Sequence, residues 1–171
     1  MLLDTLARPR IAPAAVALVC LIALAAALTA EYAFGLRPCV LCVYQRVPYA
    51  VALGLGLLGL ILLRPAVLQP LLVLAAGLAF LAGAGIAGFH VGVEQHWWAG
   101  TPNCALPGFD TNLSLAELQR QLDEAPDFVA CDEVPWALFG ISMAGYNLAA
   151  SLILAAVFLL TAARLRRPKA A

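Results

Sequence analysis

Four long apolar runs constrain this chain more than any other feature of it. An α-helix rises about 1.5 Å per residue, so crossing about 30 Å of hydrocarbon takes about 20 apolar residues. Runs of that size place helices over about 11–31, 40–63, 71–91 and 137–163. Backbone groups in lipid must be satisfied within their own segment, and none of these runs alternates like the strands of a barrel. Composition agrees: 64% of residues are apolar and 12% charged, against about 45–50% and about 25% in soluble domains. The expected class is therefore an all-α membrane protein. It would be a four-transmembrane-helix bundle in which residues 1–171 form a single integral membrane domain in a lipid bilayer. Gly77, Gly83, Gly85 and Gly88 in the third run would let neighbouring helices approach closely. The formal net charge of zero and the lack of a basic cluster leave nucleic acid out of the expected partners.

The first run follows Arg8 and Arg10 and so invites comparison with a signal peptide. Its apolar stretch exceeds the usual core of about 7–15 residues, and cleavage after Ala30 would put Leu28 where a small residue is wanted. A retained helix is the expectation. Of the ten basic residues, Arg8, Arg10, Arg64, Arg164, Arg166, Arg167 and Lys169 fall on one side of the four runs. By the positive-inside rule both termini are cytoplasmic. The long connection between helices 3 and 4, about 92–136, then faces outward and holds eight of the ten acidic residues. Within it Ser114 and Glu117 form a capping box ahead of Leu115, Leu118 and Leu122. A short amphipathic helix at the membrane surface and a soluble helix covering the bundle are both open there.

Of five cysteines, Cys20 lies mid-helix, where a small polarizable side chain fills space. Cys39, Cys42, Cys104 and Cys131 all map to the outward face, which points to disulfide chemistry in an oxidising compartment. In PCVLCVYQRVPY, residues 38–49, Pro38 is placed to start a helix, with both cysteines in its first turn on one face. Amide N–H groups there favour a thiolate, which makes the pair nucleophilic. Arg46 follows on the same face and either stabilises a developing negative charge or snorkels to headgroups. Cys104 and Cys131 form either a staple across the loop or half of a reversible relay. A zinc site wants a second short-spaced pair, which is missing, so no metal is expected. A haem site of the c type would need histidine where Val43 stands.

This arrangement resembles the bacterial disulfide bond formation protein B (DsbB) family. The likeness rests on CVLCVYQR entering the second helix and on a later cysteine pair in the outer loop, and it spans nearly the whole chain. The vitamin K epoxide reductase family orders its cysteines the other way, with the short-spaced pair last. The resemblance implies a quinone-dependent protein-disulfide oxidoreductase of the inner membrane. Such an enzyme reoxidises a periplasmic thioredoxin-fold dithiol oxidase (DsbA-like) and passes two electrons to ubiquinone or menaquinone. Cys104 would be attacked by the partner, Cys131 would then attack Cys39, and Cys42 would face the quinone beside Arg46.

Other positions carry weaker expectations. Gln45 stands where some members have an acidic residue, which would leave Arg46 less neutralised. His90 and His96 are both candidates for the quinone site, or else interfacial residues beside Trp97 and Trp98. Glu94 is expected to be a solvated loop residue in preference to a proton route, and Trp136, at the start of helix 4, an interfacial anchor in preference to a flank of the quinone pocket. Tyr146, Asn147 and Ser151 would hydrogen-bond between helices. A carboxylate at Glu31, near the cysteine pair, would oppose thiolate formation. The contrasting function is a non-catalytic membrane subunit or adaptor whose cysteines only staple the outer face.

Overall fold

In the computed structural model, which describes residues 2–8, 10–62, 65–104, 114–116, 119 and 129–166, the four apolar runs are helical. A short helix α1 (Leu2–Leu6) precedes α2 (Ile11–Tyr32), α3 (Val40–Ile61), α4 (Pro65–Glu94) and α5 (Met143–Leu165). The last four are long and apolar enough to cross a membrane. Each begins and ends within a few residues of the apolar run that specifies it, with two informative exceptions.

The third spanning helix, α4, begins at Pro65 instead of residue 71 and extends to Glu94 instead of ending at residue 91, so that the outer loop starts later than expected. The fourth begins at Met143, not at residue 137. Residues 137–142 form a two-stranded hairpin, with β1 (Ala137–Leu138) antiparallel to β2 (Ile141–Ser142). Its two turn residues, Phe139 and Gly140, both have positive φ, at 52° and 78°. That is the signature of the tight turn matching strand twist. The helix then starts where Ser142 caps it, its hydroxyl accepting the Gly145 N–H at 3.1 Å. Trp136 accordingly lies ahead of the hairpin and not on the helix. The capping-box segment at 114–122 lies for the most part outside the described residues.

Consecutive helices pack side by side, α2 on α3, α3 on α4 and α4 on α5, while no comparable packing joins α2 to α5. The core at mid-bundle contains Val16 and Cys20 of α2, Tyr49 and Ala52 of α3, Val73 and Phe80 of α4, and Phe158 of α5. Phe80 stacks on Phe158 with centroids 5.7 Å apart and receives the edge of Tyr49 at 5.5 Å. Cys20 is a wholly buried free thiol in this core, as expected of a packing residue.

A close backbone-to-backbone approach of helices falls at Gly56, outside the glycines of the third run. A methyl group there would meet the Ala17 nitrogen and the Pro13 oxygen of α2, each at 2.9 Å. Gly77 touches Leu159 just as closely, whereas Gly85 has open space around it. Because the atoms facing Gly56 are backbone, they cannot rotate away. Gly56→Val should therefore destabilise the protein by about 1–3 kcal/mol through overpacking. Gly85→Ala should be neutral or mildly stabilising. Thermal unfolding of both in detergent, followed by circular dichroism, reads the difference.

Candidate active site

The first turn of α3 carries the short-spaced cysteine pair, with a one-residue change from expectation. Pro38 precedes the helix and Cys39 is its cap, in an extended conformation (φ −76°, ψ 169°). This backbone lets the Cys39 sulphur accept the Cys42 N–H at 3.2 Å, the place an oxygen usually takes in a helix cap. The two sulphurs lie 2.8 Å apart as free thiols. That spacing would let a disulfide form with little movement once an oxidant removes two electrons and two protons from the pair.

The second pair is bonded. Cys104 ends a 3-10 turn (Pro102–Cys104) and is linked to Cys131, with 5.1 Å between Cα atoms. The Cys131 N–H also donates to the Cys104 carbonyl at 3.3 Å. Cys39, Cys104 and Cys131 share one buried cluster with Leu41 and Val93, and Cys42 packs against it. All four outer cysteines are thus brought together. Cys131 is wholly buried and Cys104 is 7% exposed, so Cys104 is the more accessible of the bonded pair.

His90, on α4, completes this cluster. Its Nε2 lies 3.4 Å from the Cys39 sulphur and its Nδ1 lies 2.7 Å from the Gln45 side-chain nitrogen. The Gln45 oxygen accepts from the Asn147 amide at 2.5 Å, and Asn147 in turn accepts from the Tyr49 hydroxyl at 2.8 Å. His96 is elsewhere: its exposed ring faces Asp132 at 3.9 Å, and it is not among the residues lining the adjoining cavity. Glu94 is the last residue of α4 and buried, not a solvated loop residue. It accepts from the Ser142 hydroxyl at 2.5 Å and lies 3.9 Å from His90 Nε2. Its position one turn after His90 was the available signal.

Arg46 is not left bare by the neutral Gln45. Its guanidinium donates to Glu31 of α2 at 2.5 Å, so the carboxylate comes from the neighbouring helix. Glu31 is therefore paired with Arg46, a contact that depends on how α2 and α3 pack.

A cavity of about 420 Å³ opens against these groups. Ala23, Ala27 and Ala30 of α2 form one wall, Met143 and Asn147 of α5 another, and Cys42, Arg46 and His90 reach it from α3 and α4. Trp136 and Tyr146 line its outer part, with ring centroids 6.3 Å apart. The cavity therefore lies at the unclosed side of the bundle, between α2 and α5. Its volume falls in the range of about 300–1,000 Å³ found for small-molecule sites.

The Cys39 thiol, just outside the membrane-spanning part of α3, has its pKa lowered. The hydrogen bond with the Cys42 thiol is the largest cause, burial opposes it, and the His90 contact reinforces it. A depressed thiol pKa keeps the thiolate populated at lower pH than usual. Its contribution to stability is present above the unfolded thiol value and is lost as pH falls through the folded one. In reduced protein the pH midpoint for alkylation of Cys39 should lie below the ordinary thiol value of about 8.5. Cys42→Ala should move that midpoint upward. Rates of iodoacetamide labelling at Cys39, resolved by peptide mass spectrometry, test both statements, and an unmoved midpoint would count against the Cys42 contact.

Comparison with known proteins agrees with this arrangement. The family model for disulfide bond formation protein DsbB matches residues 9–161. Disulfide bond formation protein B of Herminiimonas arsenicoxydans is 32% identical over 154 residues, covering 88% of this chain and 92% of the relative. The protein of the same name from Dechloromonas aromatica is 34% identical over 134 residues, covering 75% and 76%. That from Acinetobacter baumannii is 31% identical over 136 residues, covering 78% of each. No solved structure matches the chain. With its four spanning helices, its cysteine pair at the mouth of α3 and a match that runs through nearly all of the sequence, the chain belongs to the disulfide bond formation protein DsbB family.

Proposed function

We propose that this protein is a quinone-dependent thiol oxidase that reoxidises a periplasmic DsbA-like dithiol oxidase and delivers two electrons to membrane ubiquinone or menaquinone. It would reside in the bacterial inner membrane with both termini in the cytoplasm. The observation that carries the reading is the meeting of two media at one residue. Cys42 packs against the buried cysteine cluster and also lines a largely apolar cavity on the open side of the bundle.

The residues present suit a quinone. A planar ring with two carbonyl groups needs an apolar slot with a few donors, and here alanines face Arg46, His90 and Cys42. The side between α2 and α5, where no close helix packing intervenes, suits a lipid-borne tail. When bound, quinone supplies the acceptor for the two electrons and two protons that the partner dithiol gives up. Arg46, already held by Glu31, would orient a carbonyl and favour negative charge on it.

The protein steps are thiol–disulfide exchanges. A partner thiolate attacks Cys104, the Cys104–Cys131 bond breaks, and Cys131 leaves with the electron pair as a thiolate. Cys131 then attacks Cys39 of the oxidised Cys39–Cys42 pair, and Cys42 leaves as a thiolate at the cavity wall. The greater accessibility of Cys104 supports it as the entry point. Two free thiols in near-bonding contact beside an imidazole favour this reading over an adaptor whose cysteines are only staples.

Purified protein supplied with a reduced thioredoxin-fold oxidase should reduce a soluble quinone, and Cys42→Ser should not. Equal rates for the two would refute the mechanism. Cys131→Ser should accumulate a mixed disulfide between Cys104 and the partner, visible on non-reducing electrophoresis. Arg46→Ala should slow quinone reduction about tenfold or more, the scale of one charge-assisted hydrogen bond. It should leave single-turnover oxidation of the partner nearly intact.

A further inference from the structure

The polar groups behind the cysteine pair form a directed chain across three helices. An amide oxygen only accepts and an amide nitrogen only donates. Tyr49 and Ser151 donate their hydroxyl protons to the Asn147 oxygen, at 2.8 and 3.3 Å. The Asn147 nitrogen donates to the Gln45 oxygen, and the Gln45 nitrogen donates to His90 Nδ1. A neutral imidazole carries one ring proton, and Nδ1 is here an acceptor, so the proton sits on Nε2. Nε2 is the atom that faces the Cys39 sulphur at 3.4 Å. That sulphur already accepts the Cys42 N–H at the start of α3, where a thiolate is favoured, and a thiolate needs a donor opposite it.

We propose that Gln45 and Asn147 are positioning residues that hold His90 as the neutral Nε2–H tautomer, so that its single ring proton is presented to Cys39. The role this gives them rests on the thiol-oxidase reading above, while the tautomer itself can be observed without it. The chain also explains why a glutamine suits this position. A carboxylate at 45 would only accept, would draw a proton onto Nδ1, and would make the ring a buried cation. With an amide there, Cys39 gains a hydrogen bond when Cys104, once released from the partner, attacks Cys131 of the Cys39–Cys131 bond and Cys39 leaves as a thiolate with the bonding electron pair. No proton has to cross the ring. His90 is the group that touches the reacting sulphur, and Gln45 and Asn147 act through it.

Other charged or titratable groups around Cys39 are Cys42 and Arg46 on α3, Glu94 on α4, Glu31 on α2, and Arg37 and Glu133 at the cavity. None of these is altered by changes at 45 or 147, so they serve as a constant background.

The test uses the full chain in detergent with ¹⁵N-labelled histidine. In wild type near neutral pH, Nδ1 of His90 should give the shift of an unprotonated ring nitrogen and Nε2 that of a protonated one. A protonated Nδ1, whether in the other tautomer or in the imidazolium, overturns the proposal. Gln45→Glu should protonate Nδ1, and Gln45→Leu should mix the two tautomers. In a Cys42→Ala background, which isolates Cys39, Gln45→Leu should slow Cys39 alkylation several-fold at fixed pH and move its pH midpoint upward. Gln45→Glu should move the midpoint downward instead. Asn147→Leu, which frees Gln45 to turn over, should follow Gln45→Leu with a smaller effect. If the Gln45 variants leave both the nitrogen shifts and the alkylation profile unchanged, the two amides are structural only. Loss of quinone reduction with the tautomer intact would instead count against the thiol-oxidase reading.

Discussion

The hydrogen bond between Gln45 and His90 joins α3 to α4 close to the cysteine pair, and much of the surrounding structure follows from satisfying it. A polar side chain within an apolar bundle has no water to fall back on, so it must find a protein partner. Here each partner recruits the next: Gln45 needs Asn147, and Asn147 needs Tyr49 and Ser151. The sequence of bonds draws α5 onto α3 and α4. Among the described residues no buried side-chain nitrogen or oxygen is left without a partner. A network closed in this way tolerates few rearrangements, which holds His90 against the Cys39 sulphur as a fixed neighbour.

The reactive pair gains from the same economy of partners. Cys39 caps its own helix with sulphur in the place of oxygen, so the group that begins α3 is also a reacting atom. Ser142 plays the parallel part at α5, capping the helix while donating to Glu94 at the end of α4. The outer ends of α4 and α5 are thereby tied to each other. The hairpin before α5 carries Phe139 at a left-handed backbone position with its side chain 91% exposed. Glycine or asparagine would sit there with less strain.

How much of this could be read beforehand differs between fold and site. Hydrophobic run length located all four spanning helices, because the bilayer imposes one thickness on each of them. Helix ends were less legible, since the start of α5 is decided by the Ser142 cap and the Phe139–Gly140 turn within a stretch that is itself apolar. The four outer cysteines were legible because two spacings and a common side of the membrane suffice to pick them out. Between His90 and His96 the sequence offered no choice. Six residues at the end of a helix decide whether a ring enters the bundle, as His90 does, or turns out to solvent, as His96 does.

By itself, then, the sequence determined that this chain spans a membrane four times and carries two cysteine pairs on one face, since these depend on composition and local spacing. Only the tertiary structure decided that Glu31 neutralises Arg46 and that Gln45 and Asn147 orient His90. It also decided that Glu94 is buried and that the cavity lies between α2 and α5. Each of these joins residues 15 to 102 positions apart or concerns a gap between helices. Which side chains meet there depends on how the helices are rotated against one another, and close approach at Gly56 and Gly77 helps to set that rotation.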